Sequence, residues 1–214
     1  MNEVFENNMK FAPLLKFYYR YKVIILSSLF AVITITAISL FLSTTSKINH
    51  EKAAVIYNDW VEEVSQVESD KNKADELLNE LITSYKKTGY TKLALLSSAS
   101  TSARDGDNEK ALESFIILVN LTDGFRSNKL YNKLARVSSA RLLSSDKQYD
   151  AALNMLEKYS SKSTDAYIHE LTGDILLKKN EVLLAKNQYL SAKDKYIDEA
   201  SQSIISMKLA NIES

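Results

Sequence analysis

The chain has 214 residues, with 27 basic and 27 acidic side chains, two histidines and no cysteine. A formal charge of zero with both signs interspersed gives no cationic footprint for nucleic acid. The lack of thiols removes disulfides, thiolate metal sites and cysteine nucleophiles together, while leaving the compartment open.

Residues 1–22 form a short tail containing Pro13, the only proline, and the basic residues Lys10, Lys16, Arg20 and Lys22. From Val23 to Leu42 follow twenty uncharged, mostly apolar residues. As a helix this stretch is about 30 Å long, enough to cross the hydrocarbon layer of a membrane. Ser27, Ser28, Thr34, Thr36 and Ser39 fit such a span, because their hydroxyls can bond carbonyls of the preceding turn. The run exceeds the apolar core of a secretory signal, and Ser43-Thr-Thr-Ser46 offers no small-x-small cleavage site, so a retained signal anchor is expected. Four cations before the span, against Lys47 and Lys52 after it, predict a cytoplasmic N-terminus. Phe17, Tyr18, Tyr19 and Tyr21 suit the headgroup layer at the helix entry. Ser27 and Ala31, four apart, could let a second membrane helix approach, although small residues fall at such spacing by chance.

After a short linker at 43–50, residues 51–214 read as helix throughout, with Gly89, Gly106, Gly124 and Gly173 as the strong breakers. Apolar residues recur at three-and-four spacing, as in Leu112, Phe115, Ile116 and Val119. Polar punctuation marks helices at 48–69, 72–88, 91–104, 108–122, 127–145, 148–160, 164–179, 181–195 and 198–213. Asp107, Asp146 and Asp165 mark the starts of the fourth, sixth and seventh. Trp60, with Val61, Val64 and Val67 nearby, is expected in a core or an interface.

Superposing the segments in pairs reveals a recurring pattern of small and large residues. Gly173 is followed by Ala185, Tyr189 and Ala192; Ala140 by Ala152, Leu156 and Tyr159; and Ala99 by Ala111, Phe115 and Leu118. Ala111, Ala152 and Ala185 are 41 and 33 residues apart, with an insertion near Gly124 in the longer interval. Only Gly or Ala fits where two helices of a hairpin cross closely, and a large residue must fill the space beside them. The pattern and its period are those of a tetratricopeptide repeat. The predicted architecture is an all-α solenoid of helix hairpins, with 51–88 as a divergent opening pair and 199–213 as a capping helix. Ile204, Ile205, Met207, Leu209 and Ile212 are expected to give that cap one apolar flank.

In this register the first helix of each pair lines the concave face and presents Arg104, Arg141, Tyr167, Asp174 and Lys178 as candidate protein-binding residues. An Arg- and Tyr-rich groove can grip a carboxylate or an extended backbone. Leu93, Leu96, Leu134 and Val137 at neighbouring positions could offer apolar contact in that groove, with core packing as their default role.

Catalysis finds little support. His50 and His169 lack a partner at metal-ligand spacing, no serine sits in a nucleophile elbow, and no glycine-rich phosphate loop is present. A non-enzymatic protein without cofactor or metal is expected. Asn120-Leu-Thr122 matches a glycosylation acceptor, a common triplet that requires a eukaryotic secretory route.

The layout resembles the YfgM family, ancillary subunits of the Sec translocon. The stretches that carry the resemblance are Leu134-Ala-Arg136, Gln148 to Leu153, Leu171 to Lys178 and the ending Met207 to Ile212, while the tail from Asn2 to Asn8 and from Phe11 to Tyr21 departs from it. The resemblance implies a bacterial inner-membrane protein with a periplasmic repeat domain. It also implies the SecYEG translocon, the membrane-anchored chaperone PpiD and newly exported chains as partners, beside the lipid bilayer. The residues taken alone admit a second reading, an inner-membrane scaffold that organises envelope-assembly or division proteins through the same groove.

Overall fold

A computed structural model of the chain describes residues 3–66, 71–124, 128–160 and 165–213, with side chains outside 3–15, 160 and 213. The described residues form nine α-helices and no strand. They are α1 (Glu3–Ser65), α2 (Lys71–Ser84), α3 (Gly89–Arg104), α4 (Asn108–Thr122), α5 (Lys129–Ser145), α6 (Tyr149–Ser160), α7 (Ala166–Lys178), α8 (Val182–Lys195) and α9 (Glu199–Glu213). The chain divides into two compact units, Met1–Lys52 and Ala53–Ser214.

In the first unit α1 carries an apolar stretch long enough to cross a membrane, none of it buried within the protein. Val23, Phe30, Ile35 and Phe41 are each about two-thirds exposed or more. So large a bare apolar surface would be a liability in water and is what a lipid environment covers. The hydroxyls inside it are satisfied locally. Ser27 and Ser28 donate to the carbonyls of Ile24 and Ile25 at 3.0 and 2.9 Å, and Thr34 and Thr36 to those of Phe30 and Val32 at 2.6 and 2.8 Å. Residues 43–50, read from the sequence as a linker, are helical and continuous with α1. The helix expected over 48–69 is therefore the end of α1, which stops at Ser65; Val67 lies outside the described residues.

In the second unit each helix packs chiefly on its sequence neighbours, the organisation of a solenoid. Three hairpins, α3–α4, α5–α6 and α7–α8, are built alike. Their turns end in left-handed residues at register-equivalent positions: Gly106 with φ 86°, Lys147 with φ 63° and Asn180 with φ 66°. The next amide in each case, Asp107, Gln148 or Glu181, donates five residues back, to the carbonyls of Ser102, Leu143 and Leu176 at 2.9 Å. This Schellman closure satisfies carbonyls that the helix end leaves open. Asp107 and Asp165 cap their helices as predicted, by accepting from the Lys110 and Tyr167 amides. Asp146 does not start α6; it closes α5, its own amide donating to Leu142, while its carboxylate accepts from Gln148 at 2.5 Å. Thr88 and Asn128, which sequence alone did not single out, cap α3 and α5.

The predicted crossing residues are all buried: Ala99, Ala111, Phe115, Ala140, Ala152, Gly173, Ala185, Tyr189 and Ala192. Gly173 breaks nothing. It lies inside α7 against the ring of Tyr189, where an added Cβ would stand 2.7 Å from Cε1. The equivalent pairs are Ala99 with Phe115 and Ala140 with Leu156, so the bulkiest second residue faces the smallest first one.

The core passes from one hairpin to the next. One cluster joins Ala53 and Trp60 of α1 to Leu78, Leu81, Leu95 and Phe115. A second spans α5, α6 and α7 around Leu156, Ile168 and Ile175. A third holds α9 through Ile205 against Leu176, Ala185 and Tyr189. Trp60 is a core residue, beside Tyr57, which in turn meets Tyr90 at 5.5 Å between ring centres. Val61 and Val64 face outward. Two fully buried polar side chains stitch junctions. Thr91 donates to the Leu81 and Tyr85 carbonyls, tying α3 to the end of α2. Asn132 donates to the Val119 carbonyl and Thr122 hydroxyl, and accepts from Tyr159 at 2.8 Å and Arg136 at 3.2 Å, joining α4, α5 and α6. Thr122 of the glycosylation-like triplet is buried in this junction.

Two stability outcomes follow from the crossing and the turn. Gly173→Ala gains helix propensity of about 1 kcal/mol but overpacks the crossing by about 1–3 kcal/mol, a net loss that chemical denaturation of the detergent-solubilised chain should register. Adding Tyr189→Leu, the size found opposite Ala140, relieves the overpacking, and a double-mutant cycle should show that coupling. Lys147→Gly supplies the residue that Gly106 already provides at the same turn. It should raise stability by about 0.5–1 kcal/mol, read as about 1–4 °C in the thermal midpoint.

Candidate functional site

The first helices of the three hairpins, α3, α5 and α7, present a common face. Leu93, Leu134 and Tyr167 hold the same register position, 41 and 33 residues apart, and are 39, 42 and 40% exposed. Leu93 and Leu134, for which core packing was the default, are thus surface residues. Leu96 and Val137 are partly buried against the core. The face is a row of three apolar side chains repeated with the solenoid.

Beside Tyr167 on the same helix, the packing of α5, α7 and α8 leaves a cleft of about 330 Å³ lined by Arg141, Ser144, Leu171, Asp174, Lys178 and Tyr189 among others. Three of the five predicted groove residues, Arg141, Asp174 and Lys178, therefore meet in one place. Arg104 ends α3 and is not part of this cleft's lining; it shares the register position of Lys178 two hairpins earlier. Tyr167 sits in the first turn of α7, away from the cleft lining but in line with Leu93 and Leu134.

Asp174 is not the free exposed carboxylate that the sequence suggested. It accepts from the Tyr189 hydroxyl at 2.7 Å and from Lys208 of α9 at 2.6 and 2.8 Å. Lys208 also donates to Glu170 at 2.7 Å, and Glu170 accepts from the Tyr196 hydroxyl at 2.5 Å. The ammonium lies 5.6 Å from the centre of the Tyr189 ring. Burial alone would push the Glu170 carboxyl up, but hydrogen bonds from Lys208 and Tyr196, with the Lys208 charge, hold it below the usual range. Burial and the neighbouring carboxylates push the phenols of Tyr189 and Tyr196 well above theirs. Burial opposes the Lys208 charge, yet its bonds to Asp174 and Glu170 raise it above the ordinary lysine value.

With Asp174 neutralised, the charge left at the cleft is cationic. Among the described residues Arg141 has no ion-pair or hydrogen-bond partner, and Lys178 reaches only the Ser144 hydroxyl at 3.4 Å. An exposed guanidinium and an ammonium above Leu171 and Leu177 can hold a carboxylate with an apolar neighbour, or the carbonyls of an extended chain. The site has the chemistry of recognition. His169 is buried and bonded to Gln188 at 2.8 Å. Among the described residues no group of three or more potential ligands could hold a metal ion.

The Lys208 linkage escaped the sequence reading. Its signal was that Lys208 is the one charge in the interior of a helix whose Ile205, Leu209 and Ile212 form the inward stripe. Ile204 and Met207, expected on the same flank, face outward instead. A second cleft, of about 450 Å³, lies where Trp60 meets α2 and α3, walled by Ser97, Ser98, Thr101 and Asp105 and edged by the Lys110–Asp75 ion pair of 2.8 Å.

Stacked hairpins with small–large crossings and a repeated exposed row fit a protein-interaction scaffold, in a chain that also carries a helix able to span a membrane. The family model for the tetratricopeptide repeat-like domain matches residues 16–214, and the chain belongs to that family. Domains of this fold are typically non-catalytic. Comparisons with curated proteins and with solved structures return no match.

The Lys208 linkage gives a pH signature. A carboxyl depressed in the folded state contributes stability above the unfolded value, about 4.3, and loses it as pH falls through the folded value. The raised Tyr189 and Tyr196 phenols and the raised Lys208 contribute below about 10 and lose it as pH climbs higher. Protection of the α9 amides, taken as exchange rates relative to their intrinsic base-catalysed rates, should therefore be greatest between about pH 5 and 9 and decline on both sides, more than in α3. Lys208→Met should shrink the acid limb.

Proposed function

We propose that this protein is a membrane-anchored, non-catalytic accessory subunit that holds partner proteins or emerging exported chains on the face formed by α3, α5 and α7. The observation that carries the reading is the alignment of Leu93, Leu134 and Tyr167, continued by Arg141 and by Lys178. An extended segment laid across the first helices would meet an apolar contact at each hairpin and a cationic clamp at the third. Hot spots of protein interfaces are rich in these Tyr and Arg side chains.

The anchor supplies the second part of the mechanism. In a membrane, α1 would confine the repeat domain to one surface, and a weak binder beside an exit site gains an effective concentration of about millimolar without any further contact. Together with the resemblance to the YfgM family, this favours a site at the Sec translocon of the bacterial inner membrane. The N-terminus would then lie in the cytoplasm and the repeats in the periplasm, beside a PpiD-type chaperone.

Photocrosslinkable residues placed at 93, 134, 141 and 167 in the full chain, and at 183 on α8 as a control, test face and partner together. Adducts with translocon subunits, the anchored chaperone or exported chains are expected from the first four. Arg141→Ala and Tyr167→Ala should each weaken capture about tenfold. Adducts with envelope-assembly proteins alone would shift the assignment to a scaffold of that machinery. Equal yields from 183 would overturn the face itself.

A further inference from the structure

The charges of this chain are distributed unevenly along it. Between Glu6 and Glu51 there is no carboxylate, while the same interval holds Lys10, Lys16, Arg20, Lys22 and Lys47. Residues 53–214 carry three more acidic than basic side chains, and residues 1–52 three more basic than acidic ones, so neutrality conceals two opposite halves. In the second unit cations are repeatedly consumed by internal pairs, such as Lys73–Glu63, Lys110–Asp75, Lys179–Glu181 and Lys208–Asp174. The cations around the entry of the apolar stretch have no carboxylate within the same forty-odd residues to meet.

The local geometry keeps these cations presented. Lys16, Arg20 and Lys22 are exposed on the last two turns of α1 before Val23. Lys16 and Arg20 are four apart and share one side of the helix, while Lys22 shares another with Tyr18. Arg20 lies 5.6 Å from the centre of the Tyr21 ring, and that ring meets Phe17 at 4.8 Å between centres. A guanidinium held along an aromatic face keeps its forked donors available for a phosphate. Tyr18 and Tyr19, 45 and 67% exposed, add hydroxyl donors at the same level. At the opposite end of the stretch, Ser43 to Ser46 are uncharged, and the Thr44 and Thr45 hydroxyls turn back onto the carbonyls of Leu40 and Phe41 at 3.0 Å. One end is an aromatic collar with three cations within seven residues of the stretch, and the other has Lys47 alone over the same distance.

We propose that the collar Lys16–Lys22 binds the headgroups of anionic phospholipids selectively, drawing them to the leaflet at the N-terminal end of the span. The inference rests on the reading of α1 as a membrane span. Its basis is charge complementarity: a zwitterionic headgroup carries its own cation beside the phosphate, whereas an anionic one leaves a net charge for Lys16, Arg20 and Lys22 to meet. Two sides of the helix carry cations, so more than one headgroup can be held at once.

The experiment uses the full chain in vesicles of equal phosphatidylglycerol and phosphatidylcholine. An alkaline carbonate wash comes first, then native mass spectrometry of the lipids that the extracted protein retains. Wild type should stay with the vesicles and retain phosphatidylglycerol over phosphatidylcholine by about tenfold, as expected of a few juxtamembrane cations, with the preference falling as salt rises to about 0.5 M. The triple variant K16Q/R20Q/K22Q should retain both lipids about equally, while K47Q/K52Q keeps the wild-type preference. A chain released by the wash overturns the membrane reading, and the collar with it. A chain that stays inserted but shows no preference, a preference indifferent to salt, or an equal loss in K47Q/K52Q overturns the collar alone.

Discussion

The contact on which the repeat domain depends is the close crossing inside each hairpin, as where the Tyr189 ring lies on Gly173. A helix pair in this solenoid has few partners beyond its neighbours, so the distance at the crossing sets how every later helix is placed. The sequence holds that distance by trading volume across the pair. Ala99 and Ala140 stand opposite Phe115 and Leu156, and the glycine appears where the second residue becomes a tyrosine. The trade has a chemical yield, because the phenol at 189, unlike Phe115 or Leu156 at the equivalent positions, donates to a carboxylate, that of Asp174.

Turn closure is the complementary constraint. The same left-handed residue and five-residue-back hydrogen bond recur at Gly106, Lys147 and Asn180, although the three side chains have little in common. Helix geometry demands the conformation, and the chain meets it with whichever residue is present: at no strain with glycine, at little with asparagine, and at a modest cost with lysine. Packing supplies what lysine does not, which is why the hairpin with the least suitable turn residue still forms.

This explains what was legible in the sequence and what was not. Crossing residues could be read because sterics at a helix crossing leave so narrow a choice that alanines, glycine and an aromatic repeat visibly at 41 and 33 residues. Helix limits were legible where a side chain makes the cap, as at Asp107 and Asp165. They were misjudged where the same residue type ends the previous helix, as at Asp146. The continuity of α1 through 43–50 was hidden because hydroxyl-rich sequence looks like a linker, whereas Thr44 and Thr45 bond back onto their own helix. At the candidate site, register placed Arg141, Asp174 and Lys178 on one face, and they line one cleft, but it gave no sign of the pairing of Asp174 with Lys208. A partner 34 residues away on a different helix has no periodic signal. The exposure of Leu93 and Leu134 ranked behind core packing for a related reason, since apolar residues one turn from a core stripe are indistinguishable from it by spacing alone.

The capping helix therefore does more than end the solenoid. Asp174 lines the cleft and Glu170 lies one turn away on the same side of α7, and without a cation the two would repel any carboxylate or phosphate drawn to Arg141. Lys208 offsets one of these two negative charges from outside the three hairpins, by a route that also fixes α9 to α7. Because Tyr189 shares Asp174 with Lys208, the crossing at Gly173, the seating of α9 and the sign of charge at the cleft belong to one network of contacts. A change at any of the three is transmitted to the others through atoms in direct contact, so the stability of the last hairpin and the electrostatics of its binding face are set by the same few side chains.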